Sequence, residues 1–245
     1  MVVKTEKIST GSYDLNKWLY GGYESDIVTM IAGPAGSGKT NFCILVSCSQ
    51  AKKGKKVIFV DTEGGFSVER VKQMIGEGYE EVLKNILLLS PSNFKEQQES
   101  FMQLLNKLKK EEVGVVIIDG IATLYRLELG AAVRSGDENK IKEINWRMAE
   151  QMKILSEISR KHHIPVIITN QVYSEFLSEE ELKKGTKKET YLVGGDLLKY
   201  WSKCIIELKV EGRKRKAVVL KHRNMPQKEM NFEISDKGIF RKGWI

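Results

Sequence analysis

Cysteine is scarce in this chain of 245 residues, which contains only three. Cys43, Cys48 and Cys204 are odd in number and lack the paired spacing of a metal-binding motif, which argues against a disulfide framework and a zinc site. Long apolar runs are also missing, since none reaches the ~20 residues of a membrane helix, and the first residues lack the apolar core of a signal peptide. We therefore expect a soluble cytoplasmic protein without a membrane partner.

Internal repeats and a clear linker are missing as well. The length suits one substantial α/β domain, so we expect a single domain spanning residues 1–245. What the chain does have is an uneven charge: residues 199–245 contain 13 Lys and Arg against five Asp and Glu, and so carry the whole net charge of +8. Such a basic end favours a polyanionic partner such as DNA, although a solvated lysine-rich surface has the same composition.

Short β-branched runs alternate with amphipathic helices, which predicts an α/β fold with a mainly parallel sheet covered on both faces. Apolar stripes at helical spacing fall within residues 94–110 and 138–161. The last strand candidates are separated by short turns, which predicts antiparallel strands at the C-terminal end. Residues 173–195 form a long polar connection. The predicted strands are residues 27–32, 57–61, 86–89, 115–119, 165–170, 204–209, 216–220 and 230–234.

The most informative motif is the stretch G-P-A-G-S-G-K-T, which lies between an apolar strand and a helix. Glycines let the backbone turn its N–H groups around phosphates, and the positive end of the helix dipole adds to that attraction. We expect the Lys39 ammonium to reach the β- and γ-phosphates of a nucleoside triphosphate, and the Thr40 hydroxyl to ligate Mg²⁺. The predicted nucleotide-binding residues here are Gly33, Pro34, Ala35, Gly36, Ser37, Gly38, Lys39, Thr40 and Asn41.

Three other predicted strands end in polar residues. Asp119 follows four apolar residues and is expected to hold Mg²⁺ through water. Glu63 follows a strand that ends in an acid and could polarise an attacking water, although a capping or ion-pairing role is the alternative. Gln171 could hydrogen-bond a γ-phosphate or its attacking water. Because the carboxyl ends of parallel strands meet at one edge of a sheet, we expect these side chains around the phosphates.

Together these motifs resemble the ATPase core of the RecA/RadA recombinase family, in the same order and over nearly the whole chain. The resemblance implies a RecA-like P-loop fold, and ATP rather than GTP because no guanine-reading motif is visible. It implies that Glu63 is the catalytic glutamate, that Arg70 stacks on adenine and that Gln171 senses phosphate. The matching segments are residues 8–12, 21–22, 33–40, 61–66, 69–70, 119–121, 169–172 and 193–195.

The tripeptide Lys221-His222-Arg223 looks like the one with which ring-forming ATPases of the KaiC type touch the nucleotide of a neighbouring subunit. Lys221 and Arg223 are therefore candidates for a contact in trans, which requires self-association. Two exposed basic residues on a strand are an equal alternative.

Some recombinase features are altered. Only seven residues precede Ile8, so we do not expect the N-terminal helix-hairpin-helix domain or the Phe-x-x-Ala polymerisation segment of full recombinases. The stretches that line DNA in that family are poor in cations here or begin with glutamates, which repel phosphate. The basic run of residues 212–216 is the best replacement. It is predicted to project as a hairpin tip that contacts DNA phosphates without reading bases, through Arg213, Lys214, Arg215 and Lys216.

The resemblance implies an accessory role in DNA repair and homologous recombination, with ATP and DNA binding, weak ATPase activity and no strand exchange. The implied partners are the RadA recombinase and the Holliday-junction resolvase Hjc, and the implied location is the nucleoid. The alternative is an ATP-dependent regulatory module of KaiC-like type, in which nucleotide occupancy changes a partner surface and hydrolysis is incidental.

Overall fold

The computed structural model describes residues 6–108, 110–174, 190–192 and 194–243. The strands are β1 (Lys7–Ile8), β2 (Tyr23–Glu24), β3 (Val28–Gly33), β4 (Lys56–Asp61), β5 (Ile86–Leu89), β6 (Val113–Asp119), β7 (Val166–Ser174), β8 (Thr190–Leu192), β9 (Ser202–Glu211), β10 (Lys214–His222), β11 (Lys228–Ser235) and β12 (Gly238–Arg241). The helices are α1 (Tyr13–Trp18), α2 (Lys39–Ala51), α3 (Val68–Ile75), α4 (Tyr79–Leu83), α5 (Phe94–Leu108), α6 (Thr123–Ser135), α7 (Glu138–His162) and α8 (Gly195–Trp201).

The strands form one ten-stranded sheet and a small pair, β1 with β2. The main order of the large sheet is β12-β11-β10-β9-β3-β7-β6-β4-β5, and β8 pairs with β7 outside this order. Neighbours from β9 to β5 are parallel, whereas β9 to β12 form an antiparallel meander. The predicted architecture, a mainly parallel sheet with antiparallel strands at its C-terminal end, is confirmed.

The central strands are buried from end to end, and in particular every residue of β3 and β6 is buried. Parallel strands of this kind need helices on both faces. Helices α1 to α4 pack on one face and α5 to α8 on the other, each over its own apolar cluster. The register sets Gly33 beside Gln171 and Asp61 beside Asp119, so the polar strand ends lie at the same edge of the sheet.

The predicted strands agree with the structure to within a few residues, with one exception. Strand β7 continues to Ser174, beyond its predicted end at residue 170, because residues 172–174 pair with β8. A pairing with a distant segment leaves no local signal in the sequence. The predicted polar connection of residues 173–195 lies mostly outside the described residues. Among the helices in the described part of the chain, none has both the length and the apolar character to cross a bilayer.

Candidate functional site

The phosphate loop connects β3 to α2, at the carboxyl edge of the sheet. Gly36 and Gly38 have φ angles of +72° and +104°, a left-handed conformation that favours glycine. Helix α2 begins at Lys39 without a side-chain cap, so its first N–H groups lack partners within the helix. These groups are directed toward the loop, where an anion would satisfy them.

The Lys39 ammonium lies within this loop. It donates hydrogen bonds of 3.0 Å to the carbonyl oxygens of both Gly33 and Pro34, and its side chain is buried. Burial lowers the pKa of Lys39, while the carboxylates of Glu63 and Asp119 act in the opposite direction. A phosphate oxygen is charged and would therefore accept a stronger hydrogen bond from Lys39 than these neutral carbonyl oxygens do.

Asp119 lies beside the loop and is fully buried. Its Oδ2 accepts a hydrogen bond from the Thr40 hydroxyl at 2.7 Å, and its Oδ1 accepts one from the Thr169 hydroxyl at 2.6 Å. Burial raises the pKa of Asp119, and the two hydroxyl groups oppose that rise. The arrangement places a carboxylate and a hydroxyl together at the first turn of α2.

The oxygen donors of Thr40 and Asp119 fit Mg²⁺ in chemical type. Within the described residues, no group of three or more His, Cys, Asp or Glu side chains is placed to hold a metal by itself. Mg²⁺ is usually held by one or two carboxylates together with water and substrate phosphates, and not by a cage of protein ligands. The donor set therefore fits a metal that arrives with the phosphates.

Glu63 lies across the edge from the loop and is solvent-exposed. Its Oε1 accepts two hydrogen bonds, from the Thr123 hydroxyl at 2.7 Å and from Gln171 Nε2 at 3.0 Å. The two strand-end residues that the sequence placed near the phosphates, Glu63 and Gln171, are thus in direct contact.

The turn that carries Glu63 is held by Asp61, the last residue of β4. The Asp61 carboxylate accepts hydrogen bonds from the backbone N–H groups of Glu63, Gly65 and Phe66. The Thr62 hydroxyl shares its one proton between two carbonyl oxygens at the end of β6, at 2.9 and 2.8 Å. These bonds fix the backbone from which the Glu63 side chain extends.

Arg70, predicted to stack on adenine, lies on α3 beside the first turn of α2. Its Nε donates to Asn41 Oδ1 at 2.6 Å, and its Nη atoms donate to the carbonyl oxygens of Ser235 at 2.6 Å and Asp236 at 3.2 Å. These bonds use the edges of the guanidinium group, which is compatible with a base stacking on its face. They also join Asn41, another predicted nucleotide-binding residue, to the turn between β11 and β12.

Lys221 and Arg223 lie at the end of the sheet opposite to the phosphate loop, because β10 runs antiparallel to β9. Arg223 donates to Glu24 at 2.8 Å and to both carboxylate oxygens of Asp26. The Lys221 ammonium donates to the carbonyl oxygen of Lys199 at 2.6 Å, and burial lowers its pKa. A contact of either cation with a bound nucleotide therefore requires a second copy of the chain.

The predicted basic hairpin tip, residues 212–216, coincides with a hairpin between β9 and β10, but its turn is shorter than predicted. Arg213 lies in the turn between β9 and β10, whereas Lys214, Arg215 and Lys216 belong to β10. Successive strand residues point to opposite faces, so Arg215 faces away from its two neighbours and is half-buried. Lys216 forms an ion pair of 3.1 Å with a glutamate of β11. Arg213 and Lys214 are exposed and Arg215 and Lys216 are half-buried, while Lys214, Arg215 and Lys216 line one cleft together.

Some residues of this site, Asp61, Thr169 and Thr123 among them, were assigned no role from the sequence. Asp61 and Thr169 lie within the matching segments 61–66 and 169–172, at strand ends, but were given no role there. Thr123 gives no comparable signal, because only the fold brings the start of α6 to Glu63.

Nearly the whole chain matches one protein family: residues 3–242 match the Rad51 family. The DNA repair and recombination protein RadB of Methanobrevibacter smithii is 37% identical over 238 residues, which cover 95% of both chains. The protein of the same name from Methanosphaera stadtmanae is 39% identical over 229 residues, 92% of each chain. That of Methanocaldococcus jannaschii is 37% identical over 225 residues, 92% of this chain and 98% of its own.

This chain belongs to the Rad51 family, and the resemblance to the RecA/RadA recombinases is confirmed. Within that family, the chain resembles the archaeal RadB proteins, as these relatives show. Members of the family bind nucleotides, depend in general on Mg²⁺ and are ATPases, and a recombination family implies interaction with DNA.

Proposed function

We propose that this chain binds ATP with Mg²⁺ at the carboxyl edge of β3, β4, β6 and β7, and that it acts in DNA repair and recombination. The observation that carries the proposal is the gathering of Lys39, Thr40, Asp119, Glu63 and Gln171 at this one edge. The name of its relatives, DNA repair and recombination protein RadB, supports the biological process.

Binding uses the loop and the start of α2. Lys39 and the unpaired N–H groups of α2 hold the phosphate oxygens, and Arg70 contacts adenine. Thr40 and Asp119 would hold Mg²⁺, directly or through water. When bound, this ion supplies positive charge against the negative charge that develops on the phosphate oxygens.

Hydrolysis uses Glu63 as the base. Glu63 takes a proton from a water molecule as the water oxygen bonds to the γ-phosphorus, and the bond from that phosphorus to the bridging oxygen of ADP breaks. The electron pair of the broken bond stays on ADP, so the products are ADP and inorganic phosphate. We propose slow turnover, because one subunit lacks a cation that a neighbour would add. Lys221 and Arg223 of a second copy are the proposed source.

The first test is phosphate release from ATP by the wild type, Glu63→Gln and Lys39→Ala. The wild type should release phosphate slowly, and E63Q should lower the rate by about 100-fold or more with ATP affinity within about threefold, because the amide cannot act as a base. K39A should weaken ATP binding itself. Wild-type turnover by E63Q would remove Glu63 from the mechanism.

The biological role that we propose is accessory. Residues 1–245 act as a single domain that contacts DNA phosphates with the basic run of residues 213–216 and does not exchange strands. The proposed partners are the RadA recombinase and the resolvase Hjc, at the nucleoid. Arg213 and Lys214 are the exposed members of that run and should contribute most.

A regulatory module in which ATP acts as an effector is the second candidate. The hydrogen bond from Gln171 to Glu63 favours it, because β7 continues beyond Gln171 into its pairing with β8 and so links the site to a distant segment. Affinity of E63Q for RadA or Hjc should be measured with ATP, with ADP and without nucleotide. An ATP-dependent difference in this variant supports the switch, and equal affinities in all three states exclude it.

A further inference from the structure

The turn from β6 into α6 brings Thr123 against Glu63. Gly120, which opens this turn, has a φ of +89°. A Cβ atom at this position would lie 2.8 Å from Glu63 Cγ and 2.8 Å from Thr123 Oγ1, and would also collide with Thr62 Oγ1. Real Cβ atoms essentially never come so close to backbone or side-chain atoms, so the glycine is what permits the approach of Thr123 to Glu63.

The Thr123 hydroxyl has no role in starting α6. The N-cap of this helix is Ala122, and it makes no side-chain capping bond. Thr123 is the first helical residue, and its hydroxyl donates to Glu63 Oε1 at 2.7 Å. The side chain therefore acts on the carboxylate and not on its own helix.

The two oxygens of the Glu63 carboxylate have different surroundings. Oε1 accepts from both Thr123 and Gln171, which uses the two lone pairs of one carboxylate oxygen. Oε2 accepts no hydrogen bond from the described part of the chain. Thr123 and Gln171 also line a cleft of about 350 Å³, which is large enough to admit water. Oε2 is thus the oxygen left to accept a proton from water.

We infer that Thr123, seated against Gly120, is a positioning residue that orients Glu63 so that Oε2 faces the water it activates. The inference rests on the proposed function of Glu63 as the base. Gln171 alone cannot supply this orientation, because one donor leaves the carboxylate free to rotate about that bond. Misplacement of a catalytic group by about 1 Å costs on the order of 100-fold in rate.

The kinetic test compares Thr123→Val, which keeps the shape without the hydroxyl, with Thr123→Ser, which keeps the hydroxyl. T123V should lower kcat for ATP hydrolysis by about 10- to 100-fold and leave KM within about twofold, since ATP binding does not involve this residue. T123S should stay within about threefold of the wild type in kcat. An equal loss in both variants would indicate packing, and an unchanged kcat in T123V would overturn the assignment.

A structural test separates this inference from the proposed function. Crystal structures of the wild type and T123V with a non-hydrolysable ATP analogue should show the Glu63 carboxylate displaced by about 1 Å or more in T123V. An undisplaced carboxylate overturns the positioning role whatever the rates. A wild type that releases no phosphate, combined with a displaced carboxylate in T123V, rejects hydrolysis and keeps the role of Thr123.

Discussion

Asp119 has an unfavourable electrostatic position in the nucleotide-free protein. It is fully buried, and its oxygens accept hydrogen bonds from the Thr40 and Thr169 hydroxyls but from no cation among the described ion pairs. Burial disfavours the charged carboxylate and raises its pKa. A divalent cation would favour the same charge. The buried carboxylate thus destabilises the folded protein, and a bound metal would offset this destabilisation.

Asp119→Asn should therefore raise the melting temperature of the nucleotide-free protein at pH 7. The pKa of Asp119 is higher in the folded than in the unfolded state. Asp119 is therefore neutral and costs no stability below its unfolded pKa, and the wild type loses stability as the pH rises through the folded pKa. The melting temperature of the variant should exceed that of the wild type by on the order of 2–4 °C at pH 7, and this difference should become smaller toward pH 4. Calorimetry between pH 4 and 8 without Mg²⁺ measures it, and a difference independent of pH would contradict this cause.

At this scale the sequence predicts local motifs and misses contacts between strands. The phosphate loop is contiguous, so its residues and their chemistry can be assigned from the order of amino acids alone. Thr123 and Glu63 are 60 residues apart, and their contact depends on the adjacency of β4 and β6. No property of either residue alone predicts that contact.

Among the secondary-structure elements, β10 is tied to β2 by a charged cluster. Arg223 lies against Glu24, which is 3% exposed, and against Asp26. Burial alone would raise the pKa of Asp26, but the hydrogen bonds and charge of Arg223 bring that pKa below its usual value. The hydrogen bond to Asp26 also raises the pKa of Arg223. This contact supports a structural role for Arg223 within its own chain, beside the proposed contact in trans.

Arg223→Ala should lower the free energy of unfolding by about 2 kcal/mol, because it leaves Glu24 buried without its main partner. The value is below the about 3–5 kcal/mol of a fully buried pair, since the guanidinium is one-third exposed. Urea unfolding measures it. As a control, Lys84→Ala removes an exposed ion pair with Glu81 and should change nothing measurable. If R223A has the stability of the wild type but no longer hydrolyses ATP, the structural role is excluded and the contact in trans is favoured.

The elements themselves could be predicted to different degrees. The central strands are continuous β-branched runs, so composition is sufficient to locate them. The position of β8 beside β7 and the split of the basic run between a turn and β10 could not be predicted. The first depends on a pairing between distant segments, which leaves no local signal. The second depends on the exact two-residue turn of the hairpin, which the basic composition of the run does not indicate.

For the whole molecule, the uneven charge predicts how DNA binding should respond to salt. Arg213→Ala with Lys214→Ala should weaken DNA binding and reduce the slope of log K against log salt by about 2, because each phosphate contact contributes about 0.9. Fluorescence anisotropy with labelled DNA at several salt concentrations measures this. Lys52→Ala with Lys53→Ala removes two exposed lysines elsewhere and is the matched control. Equal slopes in both double variants would exclude a specific role for the basic run.

The molecule as a whole places its phosphate loop and the pair Lys221 and Arg223 at opposite ends of one sheet. Copies stacked end to end would bring these two surfaces together, whereas an isolated copy keeps them apart. The proposed slow turnover of a single copy and the proposed contact in trans therefore have the same geometric origin.

The central claim is that the edge of β3, β4, β6 and β7 binds ATP, and isothermal titration calorimetry tests it most directly. Mg²⁺-ATP titrated into the wild type should show one saturable site per chain, and Lys39→Ala should lower the affinity by at least about 30-fold, because about 2 kcal/mol or more of charge-assisted binding is lost. Absence of binding by the wild type, or equal affinities of the two proteins, would contradict the assignment of this site.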